Sequence, residues 1–297
     1  MNKTKYLLRS LLFVPGNLPD LIVKAAKTKA DALILDLEDS VADADKELAR
    51  QKIKKIVDSG VLNNKQVFVR LNDIDSGLME QEVYDLLHEN LLGFLVPKIY
   101  DDEGIEYFCG LLNQAEMEKG FPKNKFKMIP LIETTSAVLN LMKICLASSR
   151  IIAIAFGSED YLADLQGFHN EPEKAFQFPR EMIANSARAT GIIPIDTLNI
   201  DVHNLDKLRR KLQLTKILGF EGSLLLHPKE IELANKYYSP YPEEVKRAKR
   251  IIELSEETSR NNKPVKVVNG IFVGPPLVRK AKQLLEKHEF IRKIEGK

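Results

Sequence analysis

Residues 32–43 read "ALILDLEDSVAD". Ala32, Leu33, Ile34, Leu35 and Leu37 form an apolar run without polar alternation, interrupted by Asp36 and ending on Glu38, Asp39 and Asp43. A strand apolar on both faces is one covered on both faces, the mark of a parallel sheet wrapped by helices. Its carboxylates would then stand where the strand leaves the sheet.

Seven more runs of this kind occur: 7–14, 66–71, 93–98, 126–132, 151–156, 191–196 and 222–227. Helix-period stretches separate them, over Leu18–Lys29, Asp45–Asp58, Leu78–Glu89, Asp102–Lys119, Ser136–Ala147, Pro179–Thr190 and His203–Leu218, and Lys229–Tyr237 follows the last run. Eight alternating units predict an α/β chain folded as a (β/α)8 TIM barrel. An open doubly wound sheet is the rival. Its phosphate turn is glycine-rich, whereas "VPGN" after the first run holds one glycine.

The pattern changes after residue 238. A charged helix opening at "SPYPEE", a strand-like stretch "KPVKVVNGIFVGPP" and a second amphipathic helix follow. The expected organisation is a catalytic barrel over 1–238 and a helical C-terminal extension over 239–297. The extension is read as too small for a core of its own, packing on the barrel or on a neighbouring subunit.

The 297 residues include 44 Lys and Arg against 42 Asp and Glu, a net charge of +2 that gives no electrostatic reason to expect nucleic acid or a membrane surface as partner. No apolar run is long enough to span a bilayer. "MNKTKYLLRSLLFVPGN" lacks a small-residue cleavage site and is read as a first strand. Two distant cysteines, Cys109 and Cys145, are read as free thiols, consistent with a cytoplasmic protein.

Barrel active sites lie at the C-terminal ends of the strands. Those ends carry Pro15–Asn17, Glu38–Asp39, Arg70 and Asn72, Lys98, Glu133–Thr134, Ser158–Asp160, Asp196 and His227. Glu133 and Asp160 are hard oxygen donors at neighbouring strand ends with no histidine pair, which suits Mg²⁺, with Mn²⁺ possible. Arg70 offers a planar fork to a substrate carboxylate or else neutralises the acids around it. His227 is read either as a general base or as a structural hydrogen-bonder. Asp43 and Asp45 are read as first-turn helix residues.

Taken in order, "RSLLFVPGN", "ADALILDLEDSVADADKELAR", "VRLN", "VPKI", "LIETTSAVLN", "AFGSEDYLADL", "PIDT" and "GFEGSLLLHPKEIELAN" resemble the citrate lyase beta subunit-like branch of the HpcH/HpaI aldolase family. The resemblance runs from about Arg9 into the C-terminal extension. It implies a TIM barrel and a Mg²⁺-dependent cleavage of a 3-hydroxy-3-carboxylic acyl-CoA, such as citryl-, citramalyl- or malyl-CoA, to acetyl-CoA and a 2-oxoacid. It places the metal on Glu133 and Asp160 and the substrate carboxylate on Arg70. It also places CoA against the first βα loop and its helix, where Phe13 and Lys24 match, and implies a homo-oligomer, a trimer or hexamer. The base is a hydroxide held by the metal or a carboxylate such as Glu38. A pyruvate-type aldolase on free acids, and a weakly catalytic subunit of a citrate lyase-like complex that works on a carrier-bound thioester, are the alternatives. The extension departs from the family pattern: Asn269 and Gly274 stand where CoA-lyase relatives often carry Asp. Activities resting on that acid, thioester hydrolysis among them, are expected to be weak.

Overall fold

The computed structural model describes residues 6–170, 173–260, 266–268 and 271–296. Eight parallel strands close into a barrel in sequential order. They are β1 (Ser10–Pro15), β2 (Ala32–Asp36), β3 (Gln66–Arg70), β4 (Gly93–Val96), β5 (Lys127–Ile132), β6 (Ala153–Phe156), β7 (Ile193–Asp196) and β8 (Gly222–Leu225). All eight fall on the apolar runs read from the sequence, each shortened at one or both ends, although β1 reaches one residue further, to Pro15. The helices that cover them are α1 (Pro19–Ala26), α2 (Lys46–Asp58), α3 (Met79–Leu86), α4 (Asp102–Glu118), α5 (Thr135–Leu139), α6 (Leu141–Ala147), α7 (Ser158–Asp164), α8 (Gln177–Thr190), α9 (Leu205–Leu218) and α10 (Ile231–Tyr237). One expected helix, Ser136–Ala147, is two: α5 and α6 meet at Asn140, whose φ of −97° and ψ of 7° leave the helical region.

The barrel interior is filled by alternate residues of each strand: Leu11 from β1, Ala32 and Ile34 from β2, Phe68 from β3, Leu95 from β4, Ile129 and Leu131 from β5, Ala153 and Ala155 from β6, Ile193 and Ile195 from β7, and Leu224 from β8. Their neighbours, such as Leu33, Leu35, Val67 and Val69, are equally buried; with a period of two they face the surrounding helices. That double burial is why the strands read as unbroken apolar runs.

Extending the inward period by one step generates the mouth of the barrel. After Leu11 comes Phe13, after Ile34 Asp36, after Phe68 Arg70, after Leu131 Glu133, and after Ala155 Gly157. The register agrees: Asp36 lies beside Arg70 across β2 and β3, and Ile132 beside Phe156 across β5 and β6. Asp196 falls on the other phase. It is fully buried against the guanidinium of Arg180 from α8, with Nε 2.9 Å from Oδ1. Of the strand-end acids expected in the mouth, Asp196 therefore faces the helices instead.

The chain divides at Asn235 into two compact units, Met1–Asn235 and Lys236–Lys297, three residues before the boundary expected from the sequence. The second unit contains α11 (Pro242–Arg260), a short antiparallel pair of β9 (Lys266–Val268) and β10 (Ile271–Val273), and α12 (Pro275–Glu295). Ala248, Ile251 and Leu254 of α11 cluster with Ala281 of α12. The extension thus carries an apolar core of its own, contrary to expectation, because two amphipathic helices cover each other's stripes. Asn269 lies outside the described residues. Gly274 caps α12 with a φ of −126°.

Candidate active site

Asp36 ends β2 inside the barrel, 2% exposed, and a buried carboxylate requires a partner. Arg70 supplies it through a two-pronged contact, with Nε 2.6 Å from Oδ1 and Nη2 2.7 Å from Oδ2. The pair holds Asp36 well below the usual carboxylate range and pushes Arg70 further up. The remaining prong, Nη1, meets Asp39 at 2.8 Å and Glu38 at 3.0 Å. Below the guanidinium lies the ring of Phe13, 4.9 Å from ring centre to Cζ. Of the two readings of Arg70, the neutralising one is observed. One edge of the fork is fixed by a buried acid; the other is held by Asp39, which is 69% exposed and can yield to an incoming carboxylate.

Lys98, just past β4, brings the second cation. Its Nζ stands 2.6 Å from Asp73 and 3.8 Å from Glu38. Its backbone N–H donates to Oε1 of Glu133 at 2.6 Å. Glu133 is 2% exposed, and that is its one hydrogen bond among the described residues. Asp160, in the first turn of α7 rather than at a strand end, is exposed. Burial, then the negative charges of Glu38 and Asp160, push the Glu133 carboxyl up to about 8. Burial, then the nearby charge of Asp39, raises Asp160 as well, and burial pushes Glu38 up to about 7 despite Arg70 and Lys98.

In this network six carboxylates (Asp36, Glu38, Asp39, Asp73, Glu133 and Asp160) meet two cations, Arg70 and Lys98. The surplus is concentrated on Glu133, Asp160 and Glu38. A divalent ion with hard-oxygen preference fits that donor set. Among the described residues no cluster of three or more His, Cys, Asp or Glu side chains forms a metal cage. An ion here would take two carboxylates and draw its other oxygens from water or substrate, the habit of Mg²⁺.

The raised carboxyls make a prediction about the metal-free protein. A carboxyl whose folded pKa lies above its unfolded value binds more protons when folded. Its contribution favours the fold below the unfolded value and is lost as pH rises through the folded one. Glu38 and Glu133 move from 4.5 to about 7 and about 8. Metal-free protein should therefore lose thermal stability as pH climbs through that window. Added Mg²⁺ should raise Tm more at its upper edge than at its lower edge. Differential scanning calorimetry with and without Mg²⁺ checks this; a Mg²⁺ effect independent of pH would contradict it.

Other expected residues lie elsewhere. Lys24 is exposed in the last turn of α1 and shares no hydrogen bond or ion pair with the cluster. His227 caps a short helical turn. Its Nδ1 accepts from the N–H of Lys229, and Glu230 accepts from the N–H of His227 in return, so the structural role is the one observed. Asn72 is held by the buried Glu82. Asp43 and Asp45 lie in the turn before α2 without a side-chain cap bond. Lys98 is expected at a strand end with no role assigned, and Asp36, Asp73 and Gly157 are not assigned from sequence. The signal for Asp36 was present: a carboxylate inside an apolar run must pair, and the neighbouring strand ends in Arg70.

The profile of the HpcH/HpaI aldolase/citrate lyase family matches residues 9–228. The citrate lyase subunit beta of Leuconostoc mesenteroides subsp. cremoris is 30% identical over 94% of this chain and 92% of its own length. The mitochondrial citramalyl-CoA lyase of Rattus norvegicus is 28% identical over 93% of this chain and 85% of its own. Among solved structures, protein CitE from Mycobacterium tuberculosis in complex with magnesium, acetoacetate and coenzyme A superposes with a TM-score of 0.76 at 24% identity, covering 94% of this chain and 97% of that one. A citrate lyase from Burkholderia xenovorans LB400 superposes with a TM-score of 0.84 at 16% identity, covering 95% and 92%. At these identities the structural likeness concerns the barrel fold.

Proposed function

The chain belongs to the HpcH/HpaI aldolase/citrate lyase family, a family of carbon–carbon lyases, and from that premise we propose that it cleaves a 3-hydroxy-3-carboxylic acyl-CoA to acetyl-CoA and a 2-oxoacid. The observation that carries the proposal is the Glu133 carboxyl, 2% exposed, with one hydrogen bond from the N–H of Lys98 among the described residues and near enough to Glu38 and Asp160 for their charges to push it up. Glu133 and Asp160 would hold Mg²⁺, as the magnesium complex of the M. tuberculosis relative supports. When bound, the ion supplies Lewis acidity toward the substrate's hydroxyl and carboxylate oxygens.

This chain's own residues do the rest. Arg70, fixed by Asp36 and backed by Phe13, receives the substrate carboxylate on the edge that Asp39 holds. Glu38, pushed up to about 7, is poised to take the proton of the C3 hydroxyl. As that oxygen becomes a carbonyl, the C2–C3 bond breaks. Its electron pair passes into the thioester enolate, which takes one proton to become the acetyl thioester. Lys98 stabilises the ionised form of Glu38 and ties it to the loop of Asp73.

The relatives divide between CoA-lyases and a subunit named for citrate lyase, so carrier-bound thioester is the second reading. A calorimetric titration with CoA separates the two. Saturable binding supports a free CoA ester; absence of binding, with turnover only of a carrier-bound thioester, overturns it. The homo-oligomer expected from the resemblance, a trimer or hexamer, belongs to the same proposal, and sedimentation equilibrium reads it. So does a reducing cytoplasmic setting, in keeping with the free thiols of Cys109 and Cys145. No described helix is long and apolar enough to cross a membrane.

Gly274 adds a prediction. It can neither accept nor donate a side-chain proton, so acyl-CoA hydrolysis by the native chain should be slow. Its φ of −126° is open to any L residue, and aspartate is a favoured helix cap, so Gly274→Asp should fold normally. The variant should hydrolyse acyl-CoA faster than the parent, with cleavage to acetyl-CoA little changed. A thiol-release assay measures both. Robust hydrolysis by the native chain would show that another residue already does this work.

A further inference from the structure

We propose that the Glu133 carboxylate is positioned by the backbones of two residues, Lys98 and Gly157, one from each strand end flanking its own. The inference rests on the reading of Glu133 as a metal ligand and names what presents it.

Gly157 follows β6 and donates its N–H to the carbonyl of Ile132 at 2.9 Å, which sets it beside Glu133. A Cβ built on Gly157 would stand 2.7 Å from Cβ of Glu133, 2.8 Å from its Oε2 and 3.2 Å from Cγ of Leu131. The φ of Gly157 is −98°, which every L residue adopts, so glycine is required here for room and not for conformation. The Cβ of Glu133 is tied to its backbone and cannot swing aside as the end of a long side chain would. On the other flank, Lys98 has a φ of 49°, a left-handed conformation that residues with a Cβ adopt reluctantly. That conformation aims its N–H at Oε1 of Glu133, 2.6 Å away. One oxygen is held by a donor and the other occupies the space of a missing side chain. The carboxylate is thereby fixed in one orientation before any ion arrives, and fixing a ligand's orientation strengthens metal binding. Strain at Lys98 and an empty position at Gly157 converge on one side chain, which gives both features a common purpose.

The experiment uses the metal-stripped full-length chain with Mn²⁺ as the probe, followed by titration calorimetry and electron paramagnetic resonance. Gly157→Ala should weaken Mn²⁺ binding by about 10- to 100-fold. Gly167→Ala, whose new Cβ meets only side-chain atoms of Leu162 and Leu165, should leave it unchanged. Thermal unfolding without metal supplies the independent reading. Gly157→Ala should lower Tm clearly more in the native background than beside Glu133→Gly, where the two closest obstructing atoms are gone and only the 3.2 Å approach to Leu131 remains. Lys98→Gly and Lys98→Ala both remove the ammonium, so a higher Tm for the glycine variant isolates the left-handed backbone. Native Mn²⁺ affinity and Tm in Gly157→Ala, an equal Tm loss in both backgrounds, or equal stability of the two Lys98 variants would overturn the proposal. Failure of the metal reading looks different: the native chain would bind no Mn²⁺, or Glu133→Gly would bind it as tightly. The metal-free Tm cycle still decides what holds the carboxylate in that case.

Discussion

Arg70→Lys is expected to lower kcat/KM by about 10²- to 10³-fold while keeping the charge at the strand end. Three prongs of the guanidinium are in use: Nε and Nη2 on the two oxygens of Asp36, and Nη1 on Asp39 and Glu38. An ammonium is a single point with no planar fork. It can remain on Asp36 or reach toward Asp39, but it cannot hold the first while offering a two-pronged edge to a substrate carboxylate. It also loses the flat stacking on Phe13. Because one edge is structural and the other is the one proposed to receive substrate, the variant should also unfold at a lower temperature, and both effects should appear together. Steady-state kinetics and thermal unfolding of one preparation test this. A variant with native kinetics would mean that Arg70 only balances the charge of Asp36.

Glu133→Gln and Asp160→Ala should each reduce metal-dependent turnover by about 10³-fold or more, since either change removes a charged donor from the proposed two-carboxylate metal site. The two should differ in stability. Glutamine retains an oxygen to accept the N–H of Lys98 and removes a charge that is costly where it lies, as the upward shift to about 8 reports. Metal-free Glu133→Gln should therefore be at least as stable as the native chain at pH above that value. Asp160 is exposed and its removal should leave Tm nearly unchanged. Both variants should lose the stabilisation that Mg²⁺ gives the native chain. Unaltered Mg²⁺ stabilisation in Asp160→Ala would remove it from the ligand set.

The barrel was legible because its strands are buried on both faces, so eight apolar runs at helix-separated intervals admit few other arrangements. The identity of the inward phase was less legible. Counting by two from Ile34, Leu131 and Ile193 would have placed Asp36 and Glu133 in the mouth and Asp196 outside it, yet unbroken apolar runs give no local sign of which phase points inward. The backbone role of Lys98, itself an expected strand-end residue, and the role of Gly157 were beyond reach for a different reason. One acts through a backbone N–H in a left-handed conformation and the other through an absent side chain, and neither leaves a chemical signature in the residue type. Arg70 was half legible: its residue type announces a carboxylate partner, but whether that partner is protein or substrate depends on the register that pairs it with Asp36.

The most direct test of the whole account is a substrate panel. Citryl-, citramalyl- and malyl-CoA are each incubated with metal-stripped protein, first with EDTA and then with excess Mg²⁺, and acetyl-CoA and the matching 2-oxoacid are quantified together. At least one ester should yield the two products in equal amounts, only with Mg²⁺, and the product should disappear in Glu133→Gln. Cleavage that continues in EDTA, or free CoA released in place of acetyl-CoA, would contradict it.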